Sequence, residues 1–299
     1  MGLWPVLLAV ALSPASAQVT VELILEQEQY LPAESLPVTV RITNRSGQSL
    51  RLGQAEDWLT FSVEARDNQV VPKIGDVPVV GEFVLESSRV VTLHVDVAPY
   101  FLLSRPGRYS ITATKPLKEW NQDVRSEPKN FDIIPGVKLW EQEIGLPESV
   151  AGTNATPQMR KFVLQQANYL KTQVRLYVRL TDATGSKTLR VFPVGPIVSF
   201  GRPEPQVDKF SNLHLLFQSG PHSCSYLVIN PDGEIIARRT YDSADKRPHL
   251  TPDAEGKVLV TGGARRPTAS DIPPSKAEAA SADKAKPKPS PGEMTIPEP

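Results

Sequence analysis

The chain has 299 residues, enough for two domains of ordinary size and too many for one small sandwich. Its 33 lysines and arginines balance its 33 aspartates and glutamates, so its formal net charge at pH 7 is zero. No net field therefore draws the chain to nucleic acid or to anionic lipid, and we predict neither as a partner. The 29 prolines favour loops, strand edges and linkers over helix.

The N-terminus carries the pattern of a secretory leader. An apolar run at 3–12 precedes Ala-Ser-Ala at 15–17, the small-x-small order that signal peptidases cleave. We predict a signal peptide at 1–17 and a mature chain that starts at Gln18, although basic residues before the apolar run are absent. The alternative is a buried first strand. Beyond the leader no run is long and apolar enough for a membrane helix, so we predict no membrane span.

The chain has a single cysteine, Cys224, which cannot form an internal disulfide. An exported protein without disulfides must fold by core burial alone. That condition is more typical of bacterial envelope or secreted proteins than of animal ectodomains. We therefore predict export to the periplasm, secretion or display at the cell surface of a bacterium.

Residues 18–135 show the period of half-buried strands. Leu36, Val38, Val40 and Ile42 alternate with polar side chains, and similar short runs recur between turn residues. The predicted strands are 19–25, 36–44, 58–65, 90–97, 107–114 and 130–134. About seven short strands in roughly 115 residues are typical of an Ig-like β-sandwich. We predict an all-β fold with this sandwich at its N-terminus.

Two motifs in this region resemble those of known sandwich families. The Tyr30-x-Pro32-x-Glu34 opening and the alternating strand after it resemble the first strands of bacterial extracellular Ig-like modules, including the proteinase-inhibitor-like sandwich group. The segment after the Pro-Gly pair at 106–107 resembles the start of the penultimate strand of that fold. The resemblance implies that Tyr109 fills the tyrosine-corner position, with a buried ring and a hydroxyl bonded to backbone. It implies a fold and no particular target.

Residues 136–160 are predicted to form a junction that ends in an exposed Gly/Asn/Thr/Pro stretch at 152–157. Trp140 is the large side chain of this segment. Its amphipathic bulk favours a seal at the seam between two domains over an anchor that faces a partner. In the first domain, Trp58 is a candidate core residue.

Residues 161–263 are predicted to form a second, antiparallel β-meander domain. Its central hairpin turns at Asn-Pro-Asp-Gly, 230–233, where proline fixes φ of the second position and glycine supplies a positive φ. Asp-to-Gly turns precede several strands, and aligning Asp208 with Asp253 gives a loose repeat of roughly 40 to 50 residues. This meander resembles a blade of a β-propeller. The strands are too few to close a propeller ring, so an open meander, a small sandwich and a domain that borrows a neighbour's edge are the alternatives.

From residue 264 onward the chain contains no aromatic and hardly any aliphatic side chain. Such a segment cannot bury enough surface to offset its ordering entropy. We therefore predict that 264–299 is a disordered tail rich in proline, alanine and lysine. Its Lys-Pro core at 284–289 favours a solvated spacer over a contact with anionic wall polymers.

Nucleophiles and metal ligands are sparse. His214, His222 and Cys224 lie close in sequence and could be imagined as metal ligands, but no fourth ligand stands at a sensible spacing. We predict packed or surface roles for the histidines and a small, buried, apolar role for Cys224. Ser223 and Ser225 lack the glycine pattern of a nucleophile elbow.

Carboxylate pairs are equally uninformative. Glu141 with Glu143, or Asp232 with Glu234, could be posed as an acid–base pair, but nothing in the sequence sets their separation. Asn230 with the latter pair lacks the ligand count of a calcium loop. We therefore predict no enzyme, no cofactor and no catalytic, cofactor-binding or metal-binding residue.

These patterns favour a non-catalytic binding or scaffold protein whose sandwich presents an edge strand or end loops to a protein or glycan partner. One alternative is a secreted proteinase-inhibitor-like protein that inserts the loop 67–78 into a protease, where Pro72 and Pro78 limit the entropy lost on binding. The other is an accessory or remnant of a glycan-processing propeller. The sequence specifies neither the partner nor the oligomeric state.

Overall fold

The computed structural model describes residues 19–66, 69–79, 81–117, 122–146, 159–170, 173–198, 201–243 and 246–272. The chain divides into two compact units, Met1–Gly136 and Val137–Pro299. In the described residues the only helix is a single 3-10 turn at Ala98–Tyr100, and the remaining elements are strands, which confirms the predicted all-β class. The predicted signal peptide lies outside the described residues. No helix in the described part has the length and apolarity needed to cross a bilayer.

The first unit consists of strands arranged in three sheets. Within its described residues the strands are β1 (Val19–Leu25), β2 (Gln29–Tyr30), β3 (Pro37–Asn44), β4 (Leu50–Leu52), β5 (Thr60–Ala65), β6 (Phe83–Leu85), β7 (Val90–Asp96), β8 (Gly107–Leu117), β9 (Gln122–Arg125) and β10 (Lys129–Ile133). One sheet has the order β1-β3-β7; a second has the order β2-β10-β8-β5, with β9 paired to β8; a third joins β4 and β6. The apolar faces of the two larger sheets share one core.

The tyrosine-corner contact of Tyr109 and the core position of Trp58, both predicted from the sequence, are present. Tyr109 is buried, and its hydroxyl donates a 2.7 Å hydrogen bond to the carbonyl of Arg105. Its ring stacks on Phe131 with centroids 5.6 Å apart. Trp58 is buried and its indole Nε1 donates to the carbonyl of Val79 at 2.9 Å. The tyrosine corner is thus confirmed as a contact, while membership of the Ig-like group stays a prediction.

The second unit also consists of strands. Within its described residues they are β11 (Val137–Gly145), β12 (Met159–Tyr169), β13 (Gln173–Asp182), β14 (Thr188–Ile197), β15 (Glu204–Val207), β16 (Leu213–Gln218), β17 (Ser223–Ile229), β18 (Ile235–Asp242), β19 (His249–Pro252), β20 (Val258–Thr261) and β21 (Ala264–Arg265). The sheets have the orders β11-β12-β13-β14, β15-β16-β17-β18-β21 and β19-β20. Strands β15 to β18 form the antiparallel meander predicted from the sequence.

The meander sheet is covered on both faces. One face packs against β11 to β14 through a cluster that includes Phe162, Leu176 and Leu215. The other face carries Tyr226 and Cys224 and is covered by apolar residues of the β19–β20 hairpin. As a result, β16 is buried from Leu213 to Phe217 without alternation. The likeness of this meander to a propeller blade stays a prediction.

Three Asp or Asn turns of the second unit share one geometry. In the turns that begin at Asp208, Asn230 and Asp253, Oδ1 of the first residue accepts N–H bonds from the third and the fifth residue. The fourth residue has a positive φ: 79° at Gly233 and 75° at Gly256, but 64° at Ser211 in the Asp208 turn. The turn recurrence seen in the sequence is therefore a recurrence of structure.

Two predicted boundaries need correction. Residues 137–145, assigned to the junction, form β11, the edge strand of the second unit's first sheet. A bulge between Lys138 and Trp140 shifts Leu139 out of register and breaks the alternation by which the sequence marks a strand. Trp140 itself is half-buried against the core of the second unit.

The tail begins later than predicted. Ala264–Arg265 pairs with β18, and the N–H of Arg266 and of Ile272 donate to backbone carbonyls on the same strand. Arg265 also forms a 2.7 Å ion pair with Asp271. Main-chain hydrogen bonds and an ion pair order this stretch. Composition predicted disorder from residue 264 because it reflects only the apolar surface that a segment can bury. Residues 273–299 of the predicted tail lie outside the described residues.

Candidate binding edge

Strand β7 lies at one end of the β1-β3-β7 sheet, and its two ends are well defined. At its start, the main chain of Asn44 bonds that of Ser88 and Arg89 in the turn before the strand. At its end, the carboxylate of Asp96 accepts hydrogen bonds from the N–H of Leu36 at 2.9 Å and the hydroxyl of Ser35 at 2.7 Å. The β-branched valines and threonine between these ends favour the extended conformation.

The hydrogen bonds to β3 determine which backbone groups of β7 point away from the sheet. Asn44 N–H donates to the Arg89 carbonyl, and Val97 N–H donates to the Leu36 carbonyl. Bonded pairs alternate along an antiparallel ladder, so the odd-numbered residues of β7 bond to β3. The even-numbered residues therefore direct their N–H and C=O groups outward; they are Val90, Thr92, His94 and Asp96.

The inner face of β7 is only partly covered. Its inward side chains, Val91, Leu93 and Val95, pack against the first unit's core yet are half-buried. Their neighbours on β3, by contrast, are at most 1 % exposed. An apolar strip thus runs beside the open backbone groups. Among the described residues, only β3 pairs with this strand.

The other end strands of seven or more residues, β1, β11 and β14, carry residues that oppose further pairing, namely prolines, charged side chains or a bulge. These residues are Pro193 and Pro196 in β14, Lys138, Glu141 and Glu143 in β11, and Glu22 in β1. Strand β7 contains no proline, lysine or arginine. Its one carboxylate, Asp96, accepts hydrogen bonds from Ser35 and Leu36, the two residues before β3. It is therefore the long end strand least protected against a partner strand.

The candidate metal ligands of the sequence, His214, His222 and Cys224, lie far from β7 in sequence, on the second unit. His214 is 6 % exposed, and its Nδ1 lies 2.7 Å from the Tyr226 hydroxyl while its Nε2 lies 3.1 Å from Asp208 Oδ2. Burial alone would raise the pKa of Asp208, but hydrogen bonds from His214 and Asn212 outweigh it and lower that pKa. Asp208, His214 and Tyr226 thus form a hydrogen-bonded contact on the face of the meander sheet that the β19–β20 hairpin covers.

Cys224 is buried on the same face, as predicted, and burial raises the pKa of its thiol. His222 lies in the turn between β16 and β17 rather than beside His214. In the described residues no group of histidine, cysteine or acidic side chains has the geometry of a metal site.

The posed carboxylate pairs are engaged elsewhere. Glu143 pairs with Lys161 at 3.2 Å, and Glu141 pairs with Lys138 at 3.1 Å. Asp232 pairs with Arg160 at 2.7 Å, and the same guanidinium donates to the Pro231 carbonyl at 2.6 Å. Glu141, Glu143 and Asp232 therefore form ion pairs at the surface, and the bonds from Arg160 also hold the turn at 230–233.

The loop 67–78 is attached to the first unit along its described part, which starts at residue 69. Val71 N–H donates to Val63, Ile74 N–H to Tyr100, and Leu102 N–H to Pro72. Within this loop the side chain of Ile74 remains 66 % exposed. Beside the loop is a pocket of about 370 Å³. Its lining residues are Glu56, Asp57, Leu59, Thr60, Phe61, Lys73, Asp76 and Val77.

Comparison with known proteins adds little. No family model and no curated protein matches the chain. Among solved structures, the crystal structure of Spo0M, a sporulation control protein from Bacillus subtilis, is similar over 60 % of this chain and 91 % of that chain. Its identity is 10 % and its TM-score is 0.31, so this likeness carries no argument about function.

Proposed function

We propose that the chain is an exported, non-catalytic binding or scaffold protein that takes an extended protein segment onto the edge of β7 by strand addition. One observation carries the proposal: the row of outward N–H and C=O groups on the even-numbered residues of β7 beside its half-covered apolar strip. Main-chain hydrogen bonds would supply affinity, and covering the strip would add apolar burial.

The chemistry of β7 specifies the kind of segment that fits. The segment must be extended, because its own N–H and C=O groups have to meet those of the edge. Its side chains facing Val91, Leu93 and Val95 must be aliphatic or aromatic, and those on the other face can be polar. Since no lysine or arginine flanks the edge within the strand, a neutral segment is favoured over an acidic one.

Export is supported by the leader pattern at 1–17. Given export, the lack of a second cysteine favours a bacterial envelope or secreted protein over an animal ectodomain. A partner would then be a protein of the same envelope or extracellular compartment. The absence of a catalytic role is supported by the packed Asp208–His214–Tyr226 contact and by the paired carboxylates.

Hydrogen exchange tests the proposal directly. The probe is a capped peptide of alternating valine and threonine with one terminal lysine for solubility. In the free protein we expect the outward amides of Thr92 and His94 to exchange fast and the inward amides of Val91 and Leu93 to be protected by β3. Peptide binding is expected to slow exchange at the outward amides, and unchanged rates at a saturating peptide concentration would contradict the proposal.

A matched pair of variants separates backbone from side chain. Thr92→Pro removes an outward N–H while the bonds to β3 remain, because proline is tolerated at an edge whose N–H faces solvent. We expect it to abolish peptide binding with an unchanged circular dichroism spectrum. Thr92→Val keeps the N–H and is expected to bind as the wild type does. If the proline variant binds equally well, β7 is not the site.

The attached loop supports a second candidate, a proteinase inhibitor. Its main-chain hydrogen bonds order the loop around the exposed Ile74, which lowers the entropy cost of inserting the loop into the cleft of a protease. Titration against subtilisin and trypsin tests this candidate. Tight inhibition that is lost in Ile74→Asp and kept in Thr92→Pro would favour the loop over the edge.

A further inference from the structure

We infer that the strand seated on β7 is the β7 of a second copy of this chain, related by a two-fold axis at Leu93. This inference rests on the proposed strand addition and names its occupant. The reason is that β7 is nearly palindromic in the properties that an edge-to-edge pair requires. An isologous pair uses the same patch on both copies and closes without further growth.

In this register the inner faces of the two β7 strands are complementary. With Leu93 opposite Leu93 of the second copy, Val91 lies opposite Val95 of that copy, and the reverse pair follows by symmetry. The two half-covered strips thereby become one continuous apolar row. Leu93 is an inward-bonded residue, so the central pair is a non-hydrogen-bonded one, in which side chains approach most closely.

The backbone fits in the same register. The outward residues meet one another, because Thr92 lies opposite His94 of the second copy and Val90 lies opposite Asp96. Every outward N–H and C=O of the strand therefore gains a partner. A shift by two residues in either direction keeps the bonding parity but leaves one valine of the strip unmatched and shortens the pair.

The solvent face contains no like charges that would oppose the pairing. Asp96, the one carboxylate of the strand, meets Val90 and is already held by Leu36 and Ser35. Thr92 meets His94, and the same pair of residue types already bonds inside one chain, where Thr39 Oγ1 lies 3.0 Å from His94 Nδ1. A heterologous partner would need only alternation, whereas the symmetry of β7 about Leu93 specifically suits a second copy.

A matched charge test addresses this register. In one variant Thr92→Lys is combined with His94→Lys, so that lysines meet across the axis twice. In the other, Thr92→Lys is combined with His94→Glu, so that each lysine meets a glutamate. Both positions are exposed, and both variants place the same lysine next to Arg41 on β3. Only the sign of the charge at position 94 differs.

Sedimentation equilibrium over a range of concentrations is the measurement. A contact of one strand pair is small, so we expect a weak wild-type dimer whose fraction rises with concentration. The Lys/Lys variant should weaken self-association about tenfold or more, and the Lys/Glu variant should restore it in low salt and lose the gain in high salt. Thr92→Pro should be monomeric throughout.

The outcomes separate this inference from the proposed function. A wild type that stays monomeric at the highest concentration, or two charge variants that associate equally, overturns the self-pairing. If the Val/Thr peptide still protects the outward amides in that case, strand addition stands without a second copy. Should the dimer form as expected, the peptide must compete with it; a peptide that binds and leaves the dimer fraction unchanged places the self-association elsewhere and also overturns the inference.

Discussion

The β1-β3-β7 sheet of the first unit and the meander sheet of the second differ in how completely they are covered. The meander sheet has apolar residues packed on both faces, and its long strand β18 is paired with the two-residue end strand β21. In contrast, β7 ends its sheet with an open edge and no fully buried side chain. A sheet that is packed on both faces and paired at its edge has a structural role, whereas a sheet with a half-covered face and an open edge can pair with another strand.

The largest expected effect compares the same substitution in the two sheets. Leu215→Ala, at a residue with no exposed surface between two packed layers, is expected to cost about 2–5 kcal/mol of unfolding free energy. Leu93→Ala, at the half-covered edge, should cost about 1 kcal/mol, because less apolar area leaves water there on folding. Urea denaturation of both variants measures the difference. Equal losses would mean that β7 is covered as fully as β16.

The next effect concerns the polar contact inside the covered face. Asp208→Asn replaces a carboxylate bonded to His214 and Asn212, and we expect a loss of about 1–3 kcal/mol at neutral pH. The pKa of Asp208 is lowered in the folded state, so its stabilisation is present above the ordinary carboxyl pKa of about 3.9 and is lost as pH falls through the folded value. The gap between variant and wild type should therefore shrink below about pH 4.

Asp253→Asn is the control for this measurement. Asp253 holds the same turn through the same pair of N–H bonds, but no buried ring is bonded to it. We expect a smaller loss than at Asp208. Denaturant titrations from pH 8 to pH 3 check both variants, and matching pH profiles would show that the turn, and not the contact with His214, determines the stability.

The smallest effect tests the hairpin that covers the meander sheet. Gly256 has a φ of +75° in the β19–β20 turn, and an added Cβ would meet Lys209 only at ordinary contact distance. Gly256→Ala should therefore cost about 1–2 kcal/mol from backbone strain alone. Gly107→Ala, at a position without a positive φ and with similar space, should cost much less. Thermal unfolding of the two variants decides whether the strain is real.

The sequence predicts the fold wherever side chains alternate between core and solvent. That rule located β3 and β7, and the Tyr109 corner followed from a local motif. It failed at β11, where the bulge at Leu139 breaks the period, and at Ala264–Arg265, where backbone bonds order a stretch with almost no apolar side chain. The candidate edge could not be located either, because strand order is set by contacts between distant residues and β7 has the same local pattern as a central strand.

Because Cys224 is buried, its reaction with a thiol-specific dye can report on the opening of the structure around it. It is the single thiol of the chain, and the β19–β20 hairpin packs over its face of the sheet. Because the hairpin packs over this face and burial also raises the pKa of the thiol, we expect a thiol-specific dye to label Cys224 mainly while the hairpin is lifted. The labelling rate of the native protein therefore reports how often this layer opens, with no engineered probe needed.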